Sequence, residues 1–399
     1  MTMYWVELIL LIIIIVFCDI WFFKRMKKHR FYSWFINLSL LPGIFFIIIF
    51  LYIRFGFKYN HSYQVSSGLQ WMFYLFSLIY IPKIIYIFFF NTNILFNKLS
   101  GKKSGVIRKI GYIIAIFLVF IMGYGNLVTR DKLELVKQEI EVKNLPKGFD
   151  GYKIAIFADF HIGNWNNHYR IMNPLIQMIN KENPDIIIFA GDMVNNFSDE
   201  LNGWEPYFRQ LKSKQGNFAV LGNHDYGDYT NWKSSEMKEK NLEDIKKHIQ
   251  NLGFRLLLNE NQDIIKGTDT ISMVGVENWS NGHFHCYGDL NKALKGTKIN
   301  RQKIIVSHDP THWNAEIVGK ESVFLTIAGH THGGQIGIIN KYMKVSPAKL
   351  AFNEWEGLYK NKDQYLYVNR GIGYVGIPLR VGVRPEVTIL ILKKETHNP

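Results

Sequence analysis

Four long apolar segments dominate the first third of this 399-residue chain. They are Tyr4–Phe23, Phe31–Ile53, Leu69–Phe90 and Ile110–Val128. Each segment has about the 20 residues that an α-helix needs to cross ~30 Å of hydrocarbon. The segments are apolar on all sides rather than along one stripe, which argues against helices of a soluble core. Residues 1–130 are therefore expected to form a transmembrane region of four helices, in a multi-pass protein whose first partner is the lipid bilayer of the cell membrane.

The net charge of +14 belongs mainly to this region. Residues 1–150 carry 18 Lys and Arg against 7 Asp and Glu, whereas the remainder carries 29 against 26. A basic excess beside membrane helices reports topology, so nucleic acid is not expected as a partner. The two cysteines, Cys18 and Cys286, lie in different regions of the chain and predict no disulfide between them.

The basic residues are unevenly divided among the loops that separate the apolar segments. Five Lys or Arg lie in residues 24–30 and five in residues 98–109, but the loop between the second and third segments offers only Arg54 and Lys58. The positive-inside rule places the first and third loops in the cytoplasm, so the chain after residue 130 is predicted to be extracytoplasmic. Lys83, within the third segment, is interpreted as snorkelling to the cytoplasmic face.

Residues 131–150 are a charged connector with strand-like alternation, and a regular pattern begins after it. Short apolar runs end in small or polar residues in "YKIAIFADFHIG", "PDIIIFAGDMVNN", "GNFAVLGNHDYG", "KIIVSHDP" and "FLTIAGHTHGGQ". Helical spacing in "YRIMNPLIQMINKENP" and in residues 233–251 alternates with these runs, and further strands are predicted around residues 254–258 and 271–276. This α/β pattern places polar residues at strand ends, where open sheets usually build their sites.

The polar residues at these strand ends are of a few chemical types. They are Asp159, His161, Asp192, Asn223, His224, Asp225, His308, His330 and His332. Each has an ordinary alternative as a helix cap, a turn residue or a core histidine, but so many after successive apolar runs favour one shared site. Carboxylate, amide and imidazole donors together suit two divalent ions such as Mn, Fe or Zn. Such a pair, about 3.5–4 Å apart, assists phosphoryl displacement, and a water that bridges the ions becomes hydroxide near neutral pH.

The ordered motifs "DFH", "GD", "GNHD", "SHD" and "GHTH" resemble those of the calcineurin-like metallophosphoesterases. The tail "RGIGYVGIPLRVGVRPEVTILIL" is similar to that of a membrane-associated branch of the family. The resemblance covers about residues 150–395 and implies a four-layer αββα sandwich for a domain of residues 151–399. It implies that Asp159, His161 and His332 hold one metal ion, that Asn223, His308 and His330 hold a second, and that Asp192 bridges them. His224 would act on the phosphate as a catalytic residue, and Asp225 would orient it.

The resemblance implies a metal-dependent hydrolase of phosphate mono- or diesters, with a lipid-linked phosphate as a candidate substrate. One alternative is a cytoplasmic enzyme similar to UDP-2,3-diacylglucosamine pyrophosphatase, against which the predicted topology argues. The other is an inactive membrane receptor or scaffold that keeps the fold, against which the complete set of ligands argues. His283 and His285 repeat the H-x-H spacing but match no family ligand, so a loop or substrate-rim position is expected. His312 either lines the pocket or packs in the core.

Overall fold

The computed structural model describes residues 5–56, 62–165, 168–282, 285–320, 322–340 and 342–395. Contacts between residues divide the chain into two compact units. The first unit comprises residues 1–60 and 68–125, and the second comprises residues 61–67 and 126–399.

Helices account for most of the N-terminal region. They are α1 (Trp5–Lys28), α2 (Ser33–Leu38), α3 (Leu41–Gly56), α4 (Tyr63–Ser100) and α5 (Val106–Tyr124). Four helical segments are long and apolar enough to cross a membrane: Trp5–Lys28, Ser33–Phe55, Tyr63–Ser100 and Val106–Thr129. Each coincides with one of the four predicted apolar segments, and the third extends well beyond its predicted ends because polar residues continue the helix on both sides.

Lys83 has a partner that the sequence did not predict, and its predicted snorkelling to the membrane surface stays a prediction. Its Nζ lies 2.6 Å from Oδ1 of Asp19, and the hydroxyl of Tyr80 donates to Oδ2 of the same carboxylate at 3.0 Å. Gly43 makes room for this cluster, because a Cβ at that position would lie 2.0 Å from Asp19 Oδ2. An ammonium group that meets a carboxylate between helices is stabilised there and does not need to reach the membrane surface.

The second unit contains all the strands of the described residues, and twelve of these fourteen strands form two six-stranded sheets. The first sheet has the order β1 (Glu134–Val142), β14 (Glu386–Lys394), β2 (Lys153–Phe157), β3 (Ile186–Phe189), β4 (Asn217–Ala219), β5 (Arg255–Leu256). The second has the order β12 (Gly357–Asn361), β13 (Gln364–Val368), β9 (Val323–Ala328), β8 (Lys303–Val306), β7 (Asp269–Gly275), β6 (Glu260–Lys266). A separate hairpin pairs β10 (Ile338–Ile339) with β11 (Lys344–Val345). The alternating segment of the predicted connector thus becomes β1, which pairs in parallel with β14.

The two sheets pack face to face through a core of aliphatic side chains. Ile154 and Ile188 of the first sheet belong to the same buried cluster as Ile304 and Ile327 of the second. On the outer face of the first sheet lie α6 (Met172–Glu182), α7 (Glu205–Phe208) and α8 (Ser235–Asn251), and the outer face of the second sheet is covered by α9 (Leu290–Leu294). This helix–sheet–sheet–helix layering confirms the predicted αββα sandwich.

The order of the central strands fixes where the site lies. β2, β3 and β4 are parallel neighbours in one sheet, and β8, β9 and β13 are parallel neighbours in the other. These strands are buried along their length, as expected for parallel strands covered on both faces. The carboxyl ends of parallel strands meet at one edge of a sheet, so the segments after β2, β3 and β4 come together in the first sheet, and those after β8 and β9 come together in the second.

Candidate metal centre

The candidate site is built from the short segments that follow five strands. Asp159 and His161 follow β2, Asp192 follows β3, and Asn223 and His224 follow β4. The second sheet contributes His308 after β8, and His330 with His332 after β9. All of these side chains except those of His224 and His330 are buried. Residues from both sheets therefore reach one site at the strand ends, as the motif order predicted.

The backbone of these segments is unusual. Positive φ angles are found at Asp159 (50°), His161 (46°), Asp192 (60°), His330 (73°) and His332 (51°). A non-glycine residue rarely adopts this left-handed conformation, which costs free energy and is most often kept at functional sites. Gly191, with a φ of 97°, allows a close approach, because a Cβ there would lie 2.6 Å from Nδ1 of His308. Close packing beside the site thus requires a glycine at this position.

One group of side chains joins the two sheets. Nε2 of His161 and Nε2 of His332 lie 3.1 Å apart, and Oδ1 of Asp159 lies 3.5 Å from Nε2 of His332. Both oxygens of Asp159 accept from the backbone N–H of His330 at 3.0 Å. One donor atom from each of Asp159, His161 and His332 fits within 4.8 Å of the other two. This is the trio that the resemblance implied for one metal ion.

A second group surrounds Asp192. Its Oδ2 lies 3.1 Å from Nε2 of His308 and 3.6 Å from Nε2 of His161. Asp192, His308 and His330 also offer three donor atoms within 4.8 Å of one another. Asp192 thus lies against both groups, where a bridging ligand would be needed. Asn223 lies on the segment beside it, since the N–H of the next residue, His224, donates to Asp192 Oδ1 at 2.8 Å.

Several polar atoms of these groups have no hydrogen-bond partner among the described residues. They are Nδ1 of His161, Nε2 of His308 and Oδ1 of Asn223, all buried. His308 Nε2 lies 3.1 Å from Asp192 Oδ2, and the two form an ion pair when the ring is protonated. A buried polar atom without a partner is costly, so several in one cluster indicate a missing ligand. Nitrogen and oxygen donors of this kind fit a divalent cation.

The protonation states of these side chains decide which of them can bind a metal ion as they stand. Burial lowers the pKa of His161 to about 3 and the pKa of His330 to about 4, so both rings are neutral at pH 7. Burial also lowers the pKa of His308, but the carboxylates of Asp192 and Asp159 outweigh it and raise that pKa to about 10. Burial would raise the pKa of Asp192, yet His308 and neighbouring imidazoles hold it well below its usual range. At pH 7 the centre thus combines an ionised Asp192 with neutral rings at His161 and His330, whereas His308 is protonated and would have to release its proton to bind a metal ion.

The predicted contact between Asp225 and His224 is wrong. The Asp225 carboxylate accepts from the backbone N–H groups of Asp192, Met193, Val194 and Gly222, at 2.9 to 3.1 Å. The ring of His224 is held instead by the carbonyl of Asn195, 2.9 Å from Nδ1. Through these backbone contacts Asp225 fixes the segment that carries Asp192.

Three further residues contact the predicted set. The ring of Tyr229 stacks on His224 with centroids 4.2 Å apart, and its hydroxyl accepts from Nδ2 of Asn223 at 2.6 Å. Arg380, fully buried, donates to the His332 carbonyl at 3.4 Å, and Asn195 supplies the carbonyl described above. Sequence reasoning missed all three. The only available signals were the position of Tyr229 just after "GNHD" and that of Arg380 in the Gly-rich tail.

His312 and His285 lie outside the two groups of candidate ligands. His312 packs in the core: its ring stacks on Trp279 with centroids 4.6 Å apart, and Ser307 Oγ lies 2.8 Å from Nδ1. Packing, rather than a place in the pocket wall, is thus the outcome for His312. His285 is exposed and belongs to neither group, whereas His283 lies outside the described residues.

Comparison with known proteins finds similarity to one family. A profile of the family described as calcineurin-like phosphoesterase matches residues 152–334. A bovine (Bos taurus) protein named "Transmembrane protein with metallophosphoesterase domain" is 30% identical over 261 residues, which are 64% of this chain and 56% of that protein. The metallophosphoesterase YkuE of Bacillus subtilis is 27% identical over 276 residues, 68% of this chain and 89% of YkuE. A Campylobacter jejuni metallophosphoesterase is 26% identical over 397 residues, 96% of this chain and 97% of its own.

The alignments differ in extent. This chain spans little more than half of the bovine relative but nearly all of the Campylobacter one, where the alignment includes the apolar N-terminal segments. The name of the bovine relative combines a transmembrane protein with a metallophosphoesterase domain, and that of YkuE names a metallophosphoesterase.

Proposed function

We propose that this chain, a calcineurin-like metallophosphoesterase of the membrane-associated branch, hydrolyses phosphate mono- or diesters at two divalent metal ions. The observation that carries the proposal is the shared carboxylate. Asp192 lies within 4 Å of imidazoles from both groups, His308 on one side and His161 on the other. Two ions bridged by one carboxylate are the arrangement that phosphoryl displacement uses.

We assign the ligands as two sets. Asp159, His161 and His332 would hold one ion, Asn223, His308 and His330 the other, with Asp192 shared. Their open donor atoms support this assignment, as do the neutral rings of His161 and His330. When bound, Mn, Fe or Zn would polarise the phosphoryl group and lower the pKa of a nearby water.

We propose that His224 acts on the substrate rather than on a metal, although its ring also offers a donor atom within 4.8 Å of those of His161 and Asp192. Its ring is partly exposed, and Asn195 O at 2.9 Å fixes Nδ1 as the protonated nitrogen, so Nε2 is turned to the other side. His224 would donate a hydrogen bond or a proton to the leaving oxygen when the ring is protonated. Stacking on Tyr229 keeps the ring in that orientation.

Hydrolysis of p-nitrophenyl phosphate and of its bis ester, by the full chain in detergent, tests the function. We expect turnover with added Mn²⁺, its loss after chelation, and its recovery when Mn²⁺ is returned. The reason is that the proposed mechanism uses the metal ions as the electrophile that polarises the phosphoryl group. Full activity in chelated protein that contains no metal by elemental analysis would contradict the two-metal proposal.

We further propose that the catalytic unit faces away from the cytoplasm. The support is the division of Lys and Arg among the loops, since each gains about 1 kcal/mol near the anionic cytoplasmic surface. A C-terminal alkaline phosphatase fusion should be active, and a green fluorescent protein fusion dark. The reverse pattern would overturn this orientation and would favour a cytoplasmic enzyme similar to UDP-2,3-diacylglucosamine pyrophosphatase.

A further inference from the structure

The second unit exposes apolar side chains mainly in one place. Of eleven exposed large apolar residues among its described positions after residue 125, six lie between residues 336 and 350: Ile336, Ile338, Tyr342, Met343, Val345 and Leu350. We call residues 336–340 and 342–350 the apolar hairpin; they contain β10, β11 and the turn that follows. Tyr342 is 84% exposed and Leu350 93% exposed. Single exposed apolar residues are ordinary, but a cluster of this size marks an interaction surface.

The composition of the hairpin matches a membrane interface. Residues 336–350 contain no Asp or Glu, and the exposed lysines Lys344 and Lys349 accompany one tyrosine and aliphatic side chains. Lys344 pairs with Glu356 at 2.6 Å. Tyrosine and lysine are favoured at the boundary between lipid and water, where aliphatic side chains enter the acyl region.

The hairpin is tied to the segment that leaves the last candidate membrane span. That span ends at Thr129, and its final residues belong to the second unit. There the side chain of Asn126 donates to the carbonyl of Pro378. Three residues further on, the carbonyl of Val381 accepts from the N–H of Gly337 at 2.9 Å, at the base of the hairpin. Leu127, beside Asn126, is 80% exposed. The hairpin and the membrane exit thus share one loop of the Gly-rich tail.

The hairpin also returns to the candidate metal centre at both of its ends. It begins four residues after His332, and Ser346 Oγ donates to the carbonyl of Gly333 at 2.7 Å. Just beyond it, the ring of Phe352 meets the ring of His330 edge-on, with centroids 5.4 Å apart. A bilayer surface that binds the hairpin would therefore also lie close to His330 of the candidate metal centre.

We propose that the apolar hairpin inserts into the surface of the bilayer and presents the metal centre to phosphate groups of membrane lipids. The lipid phosphate as substrate rests on the function proposed above; the contact with the bilayer does not. In the reaction, water adds to phosphorus, the ester P–O bond breaks, and the proton that the water loses is returned to the leaving alkoxide. A monoester thus gives inorganic phosphate and a lipid alcohol, and a diester gives a phosphate monoester and an alcohol.

Depth-dependent quenching tests the contact on the full chain in nanodiscs of phosphatidylcholine and phosphatidylglycerol. In a Cys286→Ser background, Tyr342→Cys is labelled with an environment-sensitive fluorophore. The matched control is Ile299→Cys, an exposed apolar position ahead of β8, at the opposite strand end from His308. We expect spin-labelled lipid to quench the label at position 342 several-fold more than that at 299.

Equal quenching at the two positions would overturn the bilayer contact. So would a label at position 342 that aqueous iodide quenches freely. A label shielded from both quenchers would assign the hairpin to a second copy of this chain or to another protein, and would equally overturn it.

Hydrolysis tests the substrate class separately. Wild type and the double variant Tyr342→Ser, Leu350→Ser are compared on phosphatidic acid in the same nanodiscs and on soluble bis-p-nitrophenyl phosphate. We expect the variant to lose at least about tenfold on the lipid, because a misplaced substrate reacts slowly, while hydrolysis of the soluble ester stays within about twofold. Wild type that cleaves the soluble ester but not the lipid would overturn the lipid substrate. Wild type that cleaves neither substrate would contradict the proposed function. A variant that loses both activities would be misfolded. In each of these two cases the quenching result still decides whether the hairpin contacts the bilayer.

Discussion

The membrane helices and the α/β unit each bury a polar cluster, and the two clusters differ in how their atoms are satisfied. Between helices, the Asp19 carboxylate meets Lys83 at 2.6 Å and Tyr80 at 3.0 Å, so donors and acceptors match each other. In the α/β unit, the buried Nε2 of His308 and the buried Oδ1 of Asn223 have no hydrogen-bond partner among the described residues.

This difference separates a structural cluster from a binding one. A closed cluster of opposite charges stabilises the packing of the helices that carry it and has little affinity left for a ligand. An open cluster is unfavourable by itself, and its cost is offset only when a ligand binds. The backbone agrees, since five of the predicted metal ligands adopt left-handed φ angles.

The largest effect is expected from Asp192→Ala, which removes the carboxylate shared by the two groups. Loss of the electrophile removes several kcal/mol of transition-state stabilisation, so hydrolysis should fall by at least about 10³-fold. Metal content, measured by elemental analysis after gel filtration, should fall with it. Asp199→Ala, an exposed carboxylate in the same stretch, is the control and should change neither quantity. Retained metal and activity in the Asp192 variant would show that the cluster around Asp192 does not bind the catalytic metal ions.

A smaller effect on rate alone is expected from His224→Ala. Removal of a general acid typically costs about 10²–10⁴-fold, and His224 is not among the assigned ligands, so the metal content should stay at the wild-type level. His285→Ala, at an exposed histidine outside both groups, serves as the control and should behave as wild type. A His224 variant isolated without metal would reassign this ring as a ligand.

Tyr229→Phe should act more weakly, through Asn223. Loss of the hydroxyl frees the Asn223 amide to rotate, and loss of such a supporting contact costs about 10–100-fold in metal affinity or activity. We expect weaker Mn²⁺ binding in a titration, with kcat at saturating Mn²⁺ near wild type because the stacked ring is kept. Tyr287→Phe, which loses a hydroxyl contact to Asp228, is the control. Unchanged Mn²⁺ affinity would mean that Asn223 needs no support.

Much of the fold and of the site could be predicted because both depend on local patterns. Apolar length alone marks the membrane helices, and "FADFH" or "IAGHTH" shows a buried strand followed at once by its polar residues. Once β2 and β3 are parallel neighbours, their carboxyl ends must share an edge, and this brings Asp159 and Asp192 together. His330 follows a strand of the other sheet, and it meets Asp159 only because the two sheets pack against each other.

What could not be predicted depends on partners that have no sequence signal. His224 is held by a backbone carbonyl, which any residue at position 195 would offer, so Asp225 was assigned in its place. The short strands of the second sheet, such as β12 and β13, owe their existence to pairing across the sheet rather than to a distinctive pattern. Asp19 and Lys83 are 64 positions apart, and Asp19 was not recognised inside its apolar segment.

That missed pair gives the test with the smallest effect on hydrolysis. Lys83→Met leaves the Asp19 carboxylate buried without its cation, and Asp19→Leu leaves the ammonium without its anion. Each single variant should destabilise the full chain in detergent by roughly 1–3 kcal/mol, between the values for hydrogen bonds within membranes and for buried ion pairs. The double variant should recover most of the loss, because two apolar side chains replace a matched pair. Hydrolysis of bis-p-nitrophenyl phosphate by the folded protein should stay within about twofold of wild type in all three. A specific loss of hydrolysis in stable protein would show that the closed cluster also serves the reaction, and the contrast between the two clusters would then fail.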